Sequence, residues 1–180
     1  MSRIGKKPIV LPDGVTVTVT GFDVVVKGAK GELKRRVHSD MGLHIESNVV
    51  TVVPVRTTKK TPALWGLTRS LVANMVEGVA KGYSKRLEFE GIGYKVVLDG
   101  PNLTLQLGFS HPVHFPAPPG IHFTVEKNAI VVSGIDKEMV GETAARIRAL
   151  KPAEPYKGKG IRYQGEIVRR KAGKKAVASA

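Results

Sequence analysis

A chain of 180 residues with 29 Lys and Arg against 15 Asp and Glu carries a formal charge of +14, and it has no cysteine. The missing thiols exclude disulfides, thiolate metal centres and a cysteine nucleophile, and no run approaches the ~18 consecutive apolar residues of a membrane span. A positive surplus of this size points to a polyanionic partner; with 42% hydrophobic residues the chain can bury one ordinary core or two small ones.

Taken in chain order, Ser2-Arg3-Ile4-Gly5-Lys6-Lys7-Pro8 reads as a flexible basic arm, in contact with RNA or merely solvated. No apolar leader follows Met1-Ser2-Arg3, and a cytoplasmic protein is expected. Beyond the turn at Pro12-Asp13-Gly14, β-branched residues alternate through Val19, turn at Gly21-Phe22-Asp23, and form a second strand ending at Gly28. Strands are expected at Gly31–Val37, Gly42–Glu46 and Val49–Pro54. A helix is then expected from about Pro62 to Ala80, with Thr61 as N-cap and Pro62 at the first helical position. Its apolar stripe of Leu64, Leu67, Leu71, Val72, Met75, Val76 and Val79 suits a helix lying on a sheet, and Gly82 ends it. Trp65 and the methionines read as core or core edge.

In the second half, strands are expected at Ser84–Glu90, Tyr94–Asp99, Asn102–Gly108 and Pro112–Phe115, with a hairpin turn at Asp99-Gly100-Pro101-Asn102. Another hairpin, turning at Lys127-Asn128-Ala129, ends at Gly134. A second helix should run from Lys137 to Leu150, capped by Asp136 and stopped at Pro152, with Val140, Ala144 and Ile147 inward. Arg146 and Arg148 cannot both join that stripe.

An internal repeat organises these elements. Pro12-Asp13-Gly14-Val15-Thr16-Val17-Thr18-Val19 reappears 106 residues on as Pro118-Pro119-Gly120-Ile121-His122-Phe123-Thr124-Val125, Val25-Val26-Lys27-Gly28 aligns with Val131-Val132-Ser133-Gly134, and Glu32 with Glu138. Two hairpins can resemble each other by chance, but shared spacing over about twenty positions favours duplication. The expected fold is α+β: two duplicated small domains, each an antiparallel β-sheet packed against one helix. Residues 1–81 form the first, with its basic arm; residues 82–170 form the second, the main RNA-binding domain; residues 171–180 form a basic disordered tail.

Charge is unevenly placed along the chain. Residues 87–145 carry 3 basic and 7 acidic groups, whereas residues 146–180 carry 11 and 2. An acidic block followed by a strongly basic end implies a directed face. Within that end, Glu154-Pro155-Tyr156-Lys157-Gly158-Lys159-Gly160-Ile161-Arg162-Tyr163 places Lys157, Lys159 and Arg162 among glycines and between two tyrosines. Gly158 and Gly160 let the backbone bend and approach another polymer. The cations suit phosphates, and Tyr156 and Tyr163 offer rings or hydroxyls. Gly91-Ile92-Gly93-Tyr94-Lys95 and Gly108-Phe109-Ser110-His111-Pro112 each set an aromatic and a polar donor beside glycine; an RNA contact and a bulge or extended turn are both open readings.

Enzyme signatures fail on inspection. Gly91-Ile92-Gly93 lacks a third glycine and a following helix, and Gly158-Lys159-Gly160 lacks the spacing of a phosphate-binding loop. His111 and His114 have no third ligand. Glu88 and Glu90 fall on one face of a strand, where a solvated edge or a Lys or Arg partner is the plain explanation. No catalytic set, metal or cofactor is expected.

These motifs carry a resemblance. The opening Met1-Ser2-Arg3-Ile4-Gly5-Lys6, then Gly91-Ile92-Gly93-Tyr94, Gly108-Phe109-Ser110-His111-Pro112-Val113 and the segment Glu154–Tyr163 make residues 1–171 resemble the bacterial ribosomal protein L-six family of the large subunit. The resemblance implies a duplicated two-domain fold bound to 23S-type ribosomal RNA near the base of the flexible stalk, close to neighbouring large-subunit proteins and to where translational GTPases dock. It implies no membrane partner. RNA contact is then expected first at Tyr156, Lys157, Gly158, Lys159, Gly160, Arg162 and Tyr163. Tyr94, Lys95, Ser110 and His111 come next, followed by Arg146 and Arg148 of the second helix and by Arg169, Arg170, Lys171, Lys174 and Lys175. The alternatives are a nucleoid-type DNA binder, which basic charge alone would allow, and an RNA-processing enzyme, which would need a metal or a general base that the sequence does not offer.

Overall fold

Burial of alternate residues sorts the strands into layers in the computed structural model, which describes residues 2–172. Two units are present. One runs to Tyr83 and includes Ile135–Lys137; the other comprises Ser84–Gly134 and the chain from Glu138 onward.

The first unit contains β1 (Ile9–Val10), β2 (Thr16–Thr20), β3 (Asp23–Gly28), β4 (Gly31–Arg36), β5 (Met41–Glu46), β6 (Val49–Pro54) and α1 (Thr61–Lys81). Its strands make two antiparallel sheets, ordered β1-β6-β5 and β2-β3-β4. Val17, Val24, Val26 and Val50 turn inward from the strands and meet Val72, Met75, Val76 and Val79 of α1 in one buried cluster. Each such side chain contributes on the order of 1.5–3 kcal/mol when fully buried, so packing rather than propensity holds the helix in place. The coverage is uneven, however. Leu64 and Leu71 are half-buried and Leu67 is 55% exposed, so the first half of the predicted stripe lies open.

Two local expectations need correction. Thr61 is not the N-cap: it is the first helical residue, and Lys60 before it makes no side-chain cap. The Thr61 hydroxyl serves the preceding turn instead, accepting from the Thr58 N–H (2.7 Å) and donating to the Arg56 carbonyl (3.0 Å). The basic arm is not loose. Ser2 Oγ accepts from the Gly5 N–H at 3.1 Å, and Gly5 is buried with its α-carbon against the Trp65 ring. The indole Nε1 donates to the Val52 carbonyl (2.6 Å), while Arg69 donates to the Lys7 and Pro8 carbonyls.

The second unit is built from β7 (Tyr83–Glu90), β8 (Lys95–Asp99), β9 (Asn102–Gln106), β10 (Val113–Phe115), β11 (Ile121–Glu126), β12 (Ala129–Gly134), α2 (Lys137–Leu150) and β13 (Gly160–Tyr163). Its sheets are ordered β10-β9-β8 and β11-β12-β7-β13. Leu87, Leu103, Leu105, Leu107, Ile130 and Val132 are buried with Val140, Ala144 and Ile147 of α2 and Ile161 of β13. The α+β expectation of two related units with one helix each is borne out, although in each unit the strands divide into two sheets rather than one.

The duplication is real but runs at another offset. The β5–β6 register, Met41↔Pro54 through Glu46↔Val49, recurs 80 residues on in β11–β12, Ile121↔Gly134 through Glu126↔Ala129. The β2–β3 register, Thr16↔Lys27 through Thr20↔Asp23, recurs 79 residues on in β8–β9, Lys95↔Gln106 through Asp99↔Asn102. Sheet order agrees: β5-β6-β1 answers to β11-β12-β7, and β2-β3-β4 to β8-β9-β10, with β13 an addition. The 106-residue likeness joins hairpins from non-equivalent sheets, and it sets Glu32 of β4 against Glu138 of α2. Hairpins with two-residue turns and β-branched alternation look alike whatever sheet they enter.

The docked arm gives a direct test. Alanine at position 5 would place its Cβ 2.5 Å from Trp65 Cγ. Gly5→Ala is predicted to cost about 1–3 kcal/mol through overpacking. The readouts are a lowered thermal midpoint and red-shifted emission from the single tryptophan. Unchanged emission would show that this contact does not hold the arm.

Candidate nucleic-acid interface

After α2 the chain folds back on itself in a closed loop. The Glu154 N–H donates to the Lys159 carbonyl (2.9 Å), the Gly158 N–H to the Glu154 carbonyl (3.1 Å), and the Ile161 N–H to the Lys151 carbonyl (2.7 Å). Gly158 and Gly160 have φ of 75° and 137°, a region that side chains oppose. A Cβ on Gly160 would sit 2.6 Å from the Pro152 carbonyl oxygen and from Ala153 Cα. Its clearance is therefore used by this chain's own backbone, which corrects the reading that it serves another polymer. A Cβ on Gly158 would lie 3.3 Å from the Arg170 guanidinium.

The segment read as a glycine-tyrosine loop is also part strand. Residues Gly160–Tyr163 form β13, antiparallel to β7, with Gly160↔Glu90 and Tyr163↔Leu87 as end pairs. This pairing sets Arg162 across from Glu88, and its guanidinium reaches Glu88 and Glu90, each at 3.3 Å. Of the two plain readings of these carboxylates, a solvated edge or a basic partner, the structure shows the partner, Arg162. The Tyr163 ring is flanked by Lys85 at 5.9 Å and Arg148 at 5.4 Å.

Arg148 is tied to Glu166 through two hydrogen bonds, one of them 3.0 Å from Nε. The Glu166 carboxylate also accepts the Tyr163 N–H at 2.9 Å. Hydrogen bonding to Arg148, then to the Tyr163 amide, holds the Glu166 carboxyl below its usual range, and the same bond raises the Arg148 guanidinium. Arg146 pairs with Glu142 one turn earlier on the helix.

The predicted cations therefore divide into two sets. Arg146, Arg148 and Arg162 have carboxylate partners within the chain. Lys95, Lys157, Lys159, Arg169, Arg170 and Lys171 have none among the described residues; Lys159 is half-buried and the others are exposed. The Lys171 N–H donates to the Pro155 carbonyl at 2.8 Å, which brings the segment after β13 back beside the loop. Tyr156 projects with 58% exposure. Lys174 and Lys175 lie outside the described residues.

Tyr94 draws the remaining motifs to the same place. A Cβ on Gly91 would meet its ring at 2.7 Å, and one on Gly108 at 3.5 Å. Burial, and then the charge of Glu154, raise the Tyr94 phenol above its ordinary value, so it remains a hydrogen-bond donor. Next to Gly108, Phe109 lies under Lys151 Nζ (4.7 Å) and beside the His111 ring at 6.5 Å. Ser110 and His111 are exposed. Motifs some sixty residues apart in sequence thus converge on one end of the second unit. Lys151 and Phe109 belong to this group as well. Phe109 had a signal, as the aromatic of its motif; Lys151 had none beyond its place before Pro152. Among the described residues, no group of three His, Asp or Glu could hold a metal ion.

Comparison with known proteins agrees with this anatomy. The family described as Ribosomal protein L6 matches residues 11–82 and 90–164. The chain is 56% identical over 175 residues to a large ribosomal subunit protein uL6 from Synechococcus sp. (strain JA-3-3Ab), covering 97% of each chain. It is 57% identical over 175 residues to the protein of that name from Desulfatibacillum aliphaticivorans, covering 97% of this chain and 98% of the relative. The two matched stretches start 79 residues apart, the offset between the β2–β3 and β8–β9 registers.

Glu166 lies just beyond the matched residues and locks the returning segment, which makes its titration testable. Because its folded pKa is depressed, its contribution is fully present above the unfolded value of 4.5 and is lost as pH falls through the lower folded value. The stability difference between the natural chain and Glu166→Gln, measured by urea unfolding, is predicted to be largest above that value and to shrink on acidification. A gap independent of pH would remove the charged latch.

Proposed function

The chain belongs to the ribosomal protein L6 family, and on that premise we propose that it grips ribosomal RNA with the loop end of its second unit. As a family member it is a structural protein of the large ribosomal subunit, not an enzyme, and it works where cytoplasmic ribosomes do. The proposed RNA is of the 23S type, at the base of the stalk, beside neighbouring subunit proteins and the docking region of translational GTPases.

One observation carries this reading: exposed cations without carboxylate partners among the described residues gather about the hydrogen-bonded loop at 154–159, which presents Tyr156, while the 108–112 segment presents His111. Solvated surfaces intersperse the two signs, whereas a phosphate backbone rewards the arrangement seen here. Lys157, Lys159, Arg169, Arg170 and Lys171 contact phosphates; Tyr156, Ser110 and His111 reach sugars or bases. Arg162, Arg148 and Tyr163 act mainly by holding the loop in position. A-form RNA hides its major-groove edges, so recognition is by shape, 2′-hydroxyls and backbone rather than by sequence.

Sedimentation of a cell extract should carry the protein with the large subunit. With about 6–10 phosphates neutralised, affinity for large-subunit RNA should fall roughly 10³–10⁵-fold between about 50 and 200 mM salt. Replacing Lys157 and Lys159 together with Gln should weaken binding and reduce the salt slope by about 2. A slope equivalent to one or two phosphates in the natural chain would overturn the electrostatic account and make a protein the principal contact.

A further inference from the structure

The apolar stripe of α1 continues past the sheets that cover its second half. Leu64, Leu67, Leu71 and Met75 form one wall of a groove of about 510 Å³, and Phe22, Arg36, Val37 and His38 line the other. Leu67 and Phe22 are 55% and 46% exposed. Large side chains of this kind clustered on an open face mark an interaction surface more often than isolated ones do. From Leu64 to Met75 the wall spans about 16 Å at the helical rise, roughly three turns of a second helix laid alongside.

Charge identifies the occupant. No acidic side chain lines the groove, while Arg36 stands exposed on one rim. Asp40 faces His38 at 3.7 Å and Asp23 pairs with Lys34 at 3.1 Å, which leaves Arg36 as the rim cation with no carboxylate partner among the described residues. RNA would find a basic rim but an aliphatic floor that offers its phosphates no donor. A second copy of the chain, also at +14, would be repelled.

We propose that this groove docks an amphipathic helix of a partner protein. The apolar face of that helix sits on Leu64, Leu67, Leu71 and Phe22, and acidic residues on its flank meet Arg36. The proposal concerns the first unit and stands independently of RNA binding by the second.

The probe is a synthetic helix of about four turns with Leu at i, i+3, i+4 and i+7 and Glu along one flank. Controls are the same composition scrambled and a version with Lys in place of Glu. Binding to the full chain is followed by fluorescence anisotropy and by methyl chemical shifts of Leu64, Leu67 and Leu71. The acidic helix should bind and shift those methyls. Leu67→Glu and, separately, Phe22→Ser change exposed positions and should weaken binding at least about tenfold, or 1.4 kcal/mol, with circular dichroism unchanged. Arg36→Glu should weaken the acidic helix and favour the lysine version. Equal binding of the scrambled peptide, shifts confined to other methyls, or affinity unmoved by both Leu67→Glu and Phe22→Ser would overturn the proposal. Displacement of the same methyl shifts by a large-subunit RNA fragment would assign the groove to RNA instead.

Discussion

The return of the chain after α2 depends on a backbone position that cannot carry a side chain. At Gly160 the polypeptide passes within contact of Pro152 and Ala153 while holding φ at 137°. Only there can Pro152 bridge Ile161 on one side while Gly160 pairs with Glu90 on the other. The loop at 154–159, the seat of Arg162, the Arg148–Glu166 latch and the approach of Lys171 to Pro155 all follow from that pairing. The exposed lysines are thus placed by a backbone constraint and not by their own contacts.

That Arg162 and Arg148 hold the loop from within has a physical basis. A guanidinium is a planar fork that matches carboxylates, and Arg162 bridges Glu88 and Glu90 while Arg148 meets both oxygens of Glu166. Lysine is a compact charge on a flexible stem, suited to phosphates whose exact positions vary. The acidic stretch before residue 146, read in sequence as the counterpart of a basic face, in part supplies internal partners: Glu88 and Glu90 for Arg162, Glu126 for Arg86, Glu142 for Arg146. Net charge along a sequence overstates the cations available to a ligand, because it cannot show which of them are already paired.

What was legible in the sequence was local. The bounds of α2 follow from Asp136 before it and Pro152 after it, and the end of α1 from Gly82, whose φ of 77° needs glycine. The turn at Asp99-Gly100-Pro101-Asn102 was equally plain. Long-range placement was not. The arm looked loose because nothing near Gly5 announces Trp65, whose ring covers it. β13 was hidden by its glycines and cations, which suit a loop until β7 offers a partner. The repeat was visible but misaligned, since alternation and a two-residue turn recur in β2–β3, β5–β6, β8–β9 and β11–β12 alike. At the site, the motifs themselves were apparent, yet their convergence on Tyr94 depends on the packing of Gly91 and Gly108 against one ring.

The strand that the second unit has and the first lacks changes how each guards its sheet edge. In the first unit the corresponding edge is β1, two residues long and flanked by Pro8 and by Leu11-Pro12. Short length and prolines make it a poor template for a foreign strand. In the second, β7 is eight residues long with Leu87 and Phe89 turned inward, and only β13 covers it. A chain cut before Gly160 would leave that ladder of amides open, a ready seed for edge-to-edge aggregation. The same geometry delays completion of the sheet during synthesis: β7 must wait for some seventy residues to emerge before β13 arrives, and until then that edge stays open.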